Sequence, residues 1–245
     1  MGARPAIDLR AEPGSPRAAA RSPSSGQFLR RRGRTPQVTA YDELAEQYAV
    51  MLPDLRAETA LELAMLSTFA AAAGQPDLGP VAELGCGTGR VMSHLRSLGL
   101  GMIGMDLSRG MVSVGRRAYP GAHFALGSIA ALPFAGGHLG GILAWYSTIH
   151  TPAPDLQHVF HEFARALAPG APLLVGFHVG DENQPRKVTY PNGVSLTVYD
   201  LDPATARSLA VGAGLTVRAE LMRAPEGKKT RPRACLLATK SARRV

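Results

Sequence analysis

A chain of 245 residues with 45% hydrophobic and 6% aromatic side chains can bury one well-cored α/β domain, or two small ones, and is not disordered throughout. Two cysteines, Cys86 and Cys235, exclude a disulfide framework and a four-cysteine zinc site, and no apolar run is long enough to form a transmembrane helix. The net charge of +8 suggests a nucleic-acid binder until it is divided: residues 1–37 carry +6, residues 216–245 carry +7, and the body between them carries −5.

The basic ends flank an acidic body, which argues against a nucleic-acid substrate, since such an enzyme would carry its basic stripe beside the site. With no apolar leader, a reduced cytoplasmic setting is expected. Residues 1–37 are rich in Arg, Pro, Ser, Gly and Ala without periodicity and read as a disordered basic tail; an Arg- and Ser-rich, acid-poor segment also fits a transit peptide. The domain proper is expected over 38–245. Helical order should begin near Thr39, with Tyr41, Leu44, Ala45, Tyr48 and Leu52 on one face, and Pro53 ending the run. A second helix is expected over 57–73.

From Pro80 onward, short apolar runs alternate with helical patterns. Strands are expected at 80–84, 101–106, 122–126, 139–146 and 172–178, and helices at 89–98, 109–119 and 154–167. The alternation predicts an α/β fold: a doubly wound, mostly parallel, seven-stranded Rossmann-like sheet with a C-terminal antiparallel strand and an N-terminal helical cover. The cofactor core would span 80–178, and the polar, proline-containing stretch 180–192 would be an acceptor-side insertion or lid. Beyond it a strand at 195–199, a helix at 203–213 and closing strands at 215–221 and 234–239 are expected, with the basic loop 228–233 between the last two.

The strongest local signal is Val81-Ala82-Glu83-Leu84-Gly85-Cys86-Gly87-Thr88-Gly89-Arg90. A strand runs into three alternate glycines and then a helix. Glycines there let the backbone turn tightly and a ligand approach closely. Asp106, 17 residues after Gly89, closes the second strand and is placed to accept hydrogen bonds from ribose hydroxyls. Together they indicate an adenosine-type cofactor. The spacing G-x-G-x-G departs from the phosphate-cradling G-x-G-x-x-G, and no Tyr-x-x-x-Lys pair supports a nicotinamide dehydrogenase.

The segment E-L-G-C-G-T-G followed by G-M-D-L-S resembles the class I S-adenosylmethionine-dependent methyltransferases. Further stretches agree: Gly127 to Phe134 resembles the third motif, Leu143 to His150 the fourth-strand motif, and Arg165 to Leu174 the R-x-L-x-P-G-G approach to strand five. Tyr41-Asp42-x-x-Ala45-x-x-Tyr48 resembles the helical segment ahead of the core in the small-molecule branch. The resemblance spans roughly 41–240. It implies S-adenosyl-L-methionine as cofactor. Glu83, Gly85, Cys86, Gly87 and Gly89 would line the methionine side, and Asp106 the ribose. Leu107 and Met111 would pack on the adenine, with Ser128 and Ile129 at its edge. Ala144 and Trp145 would sit below the methionine tail, and Tyr48 would cover it. Ser128 stands where the family has Asp, a weaker and neutral acceptor.

Methyl transfer from a sulfonium needs a general base only for a hydroxyl or a protonated amine. Candidates lie at the carboxyl ends of strands four and five, where doubly wound sheets bind ligands. His150 is the first candidate base and His178 the second; either can instead line the acceptor pocket or hold a turn. Tyr146, Ser147, His150, His178 and residues 180–192 are expected to form that pocket, whose aromatic lean suits a small organic acceptor. No metal site is expected: His158 and His161 share a helical face but lack further ligands. Cys86 reads as packing more than as a nucleophile. Two rivals stand beside a small-molecule methyltransferase: an RNA-modifying methyltransferase gripping phosphate with the basic ends, and a regulatory protein that binds cofactor without turnover. The acceptor, the methylated atom and the oligomeric state are not legible.

Overall fold

The computed structural model describes residues 35–75, 77–181, 184–225 and 231–241. The basic tail over 1–34, residues 226–230 at the start of the basic loop and the last four residues lie outside the described residues.

Helix α1 (Pro36–Met51) begins three residues earlier than the apolar pattern indicates. Thr35 caps it by accepting from Val38 N at 3.3 Å, and Pro36 sits in the first turn, where its missing N–H costs nothing. The cap signal lies in the polar segment assigned to the tail, so residues 35–37 belong to the cover helix. Helix α2 (Ala60–Ala73) opens with a capping box, Thr59 and Glu62 each satisfying the other's backbone amide.

The core follows as β1 (Val81–Leu84), α3 (Arg90–Ser97), β2 (Met102–Asp106), α4 (Arg109–Ala118), β3 (His123–Leu126), β4 (Gly141–Trp145), α5 (Ala153–Ala166) and β5 (Pro172–His178). After it come β6 (Arg186–Thr189), β7 (Ser195–Val198), α6 (Pro203–Gly212), β8 (Leu215–Arg223) and β9 (Arg233–Lys240). The seven-stranded sheet runs β3-β2-β1-β4-β5-β9-β8, its first five strands parallel and its last two antiparallel to their neighbours. Strand order reverses between β1 and β4, so a crevice opens at their carboxyl ends. Nearly continuous burial along β1, β4 and β5 reflects helices on both faces. One core cluster joins the sheet to α5 and α6 through Phe160, Phe163 and Leu173, and the other joins it to α2 and α3 through Phe69, Met92 and Leu95.

Part of the expected insertion, Arg186–Thr189, is strand β6. Within 180–192, β6 pairs antiparallel with β7, Arg186 opposite Val198 and Thr189 opposite Ser195. This hairpin packs Leu196 against Ala40 and Leu44 of α1, so cover helix and hairpin form one layer over the crevice. Strand β8 runs two residues past its expected end, to Arg223, its side chains alternating between exposed and covered. Among the described residues, no helix is long and apolar enough to cross a membrane.

Candidate functional site

The turn after β1 is built by three left-handed glycines, Gly85 (φ 72°), Gly87 (φ 54°) and Gly89 (φ 84°). Two of them are also demanded by space. A Cβ on Gly85 would lie 2.3 Å from the Cβ of Ser147, and one on Gly89 would lie 2.6 Å from the ring of Phe124. The turn is therefore pressed against the end of β4 on one side and against β3 on the other. Cys86 is buried, and burial pushes its thiol well above the ordinary range, consistent with packing.

Asp106 meets this turn from β2. Its Oδ2 accepts from Gly87 N at 2.8 Å and its Oδ1 from Ser108 N at 2.8 Å. Burial raises its pKa, and the amides of Ser108, Gly87 and Leu107 oppose that rise. Each oxygen retains a second lone pair for a ligand hydroxyl. Ser108 caps α4, and Asp42 of the cover helix accepts from Ser108 Oγ at 2.6 Å and Gly110 N at 2.8 Å. The cover is thus bonded to the segment that carries Asp106. Tyr48 reaches over Gly87, its ring 3.9 Å from where a Cβ would stand. Leu107 is half exposed and Met111 fully buried beneath Tyr48 and Ala45. Ser128 and Ile129 follow β3, with Ser128 Oγ accepting from Ala130 N at 3.2 Å.

Below the turn, Glu83 is buried with Oε2 unpartnered, and the nearby Ser147 Oγ is also buried without a partner. Burial lifts the Glu83 carboxyl to about 8; Arg90 and the Met92 amide pull it down, and Asp106 and Glu58 push it further up. Arg90 itself is held by Glu58 through two bonds of 2.7 Å, and Glu58 Oε1 also accepts from Trp145 Nε1 at 3.3 Å. This ties the end of β4 to the start of α3. Buried, unpaired acceptor atoms beside a glycine cradle and a carboxylate are what the methionine and ribose parts of S-adenosylmethionine would satisfy, so these residues fit that group.

The residues expected on the acceptor side lie at the ends of β4 and β5. Tyr146 has φ 55°, the only non-glycine residue with positive φ among the described residues, and its hydroxyl donates to Glu62 at 2.7 Å. Such strain is held in place by surrounding structure and concentrates at functional sites. His178, at the end of β5, lies 5.3 Å from Tyr146, ring to ring. His150 stands apart from a free base. Its Nε2 is 2.6 Å from Tyr41 Oη, its Nδ1 is 2.9 Å from Thr197 O, and the same nitrogen meets the Gln37 amide. Burial lowers its pKa to about 4 against the bond to Thr197, with Arg186 lowering it further. Both ring nitrogens are engaged, which suits a clasp between cover helix and hairpin. His158 reaches the carbonyl of Ala130 at 2.8 Å.

Sequence reasoning missed Glu58, Arg90, Asp42 and Glu62. Asp42 and Arg90 stand within the quoted motifs without a role assigned to them, and Glu62 carried the Thr-x-x-Glu capping pattern, which concerns the helix rather than the tyrosine it also holds.

Residues 81–170 match the family described as a methyltransferase domain. Demethylmenaquinone methyltransferase of Renibacterium salmoninarum is 30% identical over 95 residues, and the match spans 39% of this chain and 39% of that relative's length. Among solved structures, the CcbJ methyltransferase of Streptomyces caelestis superposes with a TM-score of 0.64 at 18% identity, covering 85% of this chain and 100% of that one. Magnesium protoporphyrin IX methyltransferase of Synechocystis gives 0.57 at 18% identity, over 89% of this chain and 92% of that one. The sheet order and these matches agree: residues 81–170 are similar to a methyltransferase domain, and the fold is the one shared by these solved methyltransferase structures.

Proposed function

We propose that the protein transfers a methyl group from S-adenosylmethionine to a small organic acceptor, with residues 38–245 acting as one catalytic domain in a cytoplasmic setting. One observation carries this reading: the Gly85–Gly89 turn meets the Asp106 carboxylate beside the unpartnered oxygens of Glu83 and Ser147. The cofactor supplies an activated methyl on a sulfonium with a neutral leaving group. The protein's own residues then have three tasks. Asp106 and the turn fix the donor. Tyr48 and the cover helix exclude water. Tyr146, Ser147 and His178 hold the acceptor in line. Such alignment is worth up to ~7–11 kcal/mol. The acidic body supports a small molecule over RNA. The test is mass spectrometry of a metabolite extract incubated with the protein and methyl-labelled cofactor. One metabolite gaining a labelled methyl is expected; cofactor binding with no labelled product would instead support a regulatory protein.

Glu83 gives a prediction in solution. A carboxyl raised from 4.5 to about 8 on folding stabilises the cofactor-free fold most below about 4.5, and that contribution is lost as the pH rises through about 8. An ammonium group brought beside it favours the charged form, so cofactor binding at pH 7 should release a proton. Calorimetry in phosphate and in Tris should show binding enthalpies that differ by the buffers' ionisation heats, and Glu83→Gln should remove the difference.

His150 gives a second. With its pKa near 4 and both nitrogens engaged, turnover should show no ionisation from this residue between about pH 5.5 and 7.5. A kcat profile with an inflection near 6.5 that His150→Gln abolishes would restore His150 as the base.

A further inference from the structure

The acceptor end of the crevice holds an unusual set of charges. Strand pairing puts Arg233 of β9 directly opposite His178 of β5. The Arg233 guanidinium lies 5.0 Å above the Tyr146 ring and 3.8 Å from Glu62, longer than a hydrogen bond. Glu62 is already taken up by Thr59 N, Thr59 Oγ and Tyr146 Oη, each within 3.0 Å. On the other side of His178, Arg186 and Arg231 share one buried carboxylate, Asp200, at 2.9 Å and 2.6 Å.

The same arrangement fixes the state of His178. Arg186 Nη2 lies 2.9 Å from its Nδ1. A guanidinium can only donate, so Nδ1 accepts and the ring proton sits on Nε2. Burial lowers the His178 pKa to about 3, and Arg233, Arg186, His150 and Arg231 add to the fall. His178 is therefore a neutral donor through Nε2, not a base. Four guanidinium groups, those of Arg233, Arg223, Arg186 and Arg231, and an imidazole N–H surround this end, against two carboxylates, Glu62 and Asp200. Glu62, Tyr146, Arg223, Arg233 and Ala234 line a small concavity there.

We propose that the methyl acceptor carries an anionic group, a carboxylate or a phosphate, received by the Arg233 guanidinium and the His178 Nε2–H. The inference rests on the methyl-transfer reading, since it names the substrate class of that same site. A partly buried excess of donors is costly without an acceptor, and a planar guanidinium beside an aromatic ring suits a carboxylate or phosphate attached to an apolar body. The methyl group would go to another atom of that body, held in line by the anchored anion.

Trp145 is the sole tryptophan and packs 5.2 Å from Tyr146, so its fluorescence reports on this end. The full chain, saturated with S-adenosylhomocysteine, is titrated with benzoate, phenyl phosphate and neutral benzamide. At least one anion should bind on the order of tenfold tighter than benzamide, and the better of the two identifies the anchored group. Arg233→Gln should erase the preference. Arg231→Gln, at the more exposed of these arginines, should reduce it severalfold and supplies the same reading if Arg233→Gln lowers the melting temperature. Equal binding of charged and neutral probes, or a preference unchanged in both variants, overturns the proposal. Calorimetry of S-adenosylhomocysteine separates the two failures: if that nucleoside itself does not bind, it is the methyl-transfer reading that falls.

Discussion

Replacing Asp106 by alanine should weaken S-adenosylmethionine binding by about 3 kcal/mol, roughly a hundredfold, as measured by calorimetry. The figure is the loss of two charge-assisted hydrogen bonds at about 1.5 kcal/mol each. The carboxylate also accepts from Gly87 and Ser108, so its removal frees the amide of the turn and loosens the start of α4. Asp106→Asn keeps one carbonyl oxygen and should fall between wild type and Ala. Stability should change less than affinity, because burial already disfavours the charged carboxylate. An unchanged dissociation constant in Asp106→Ala would contradict the placement of the ribose.

Gly85→Ala should be among the more damaging single-methyl additions to the described residues. The new Cβ would sit 2.3 Å from the Cβ of Ser147, a residue fixed by the strained turn after β4, and φ 72° is unfavourable for any L side chain. Left-handed strain of about 1–2 kcal/mol and overpacking of about 1–3 kcal/mol add to roughly 2–5 kcal/mol. At about 2–4 °C per kcal/mol for a domain of this size, the melting temperature should drop by about 4–20 °C. Gly99→Ala is the control: its φ is 93°, yet a Cβ there meets nothing within 4 Å. It carries the strain without the collision and should cost only about 1–2 kcal/mol. Equal losses at both positions would mean that the approach of the turn to β4 is not tight.

Much of this architecture was legible because its causes are local. Apolar runs such as Pro172–His178 can only be buried strands, and alternation with helices dictates a parallel sheet. The three glycines and Asp106 announce the cofactor side because backbone shape and a strand-end carboxylate are each written in a few adjacent residues. The proposed acceptor side was less legible because its residues depend on long-range pairing. His150 looked like a base from its place after β4, but Tyr41 and Gln37 lie more than 100 residues earlier and Thr197 lies 47 later. The Glu58–Arg90 pair spans 32 residues with no pattern to mark it. Of the hairpin β6–β7, the second strand was expected but β6 was hidden, because its four residues stand in polar surroundings and their alternation becomes meaningful only against β7. The start of α1 was hidden differently: Thr35 and Pro36 are a proper cap, masked by the tail composition before them.

The most direct measurement is the crystal structure of the full chain grown with S-adenosylhomocysteine. Density for the nucleoside should run over Gly85–Gly89, with both ribose hydroxyls on Asp106 and the amino-acid tail toward Glu83 and Ser147. A nucleoside bound elsewhere, or a crevice left vacant at saturating concentration, would contradict the account at its foundation.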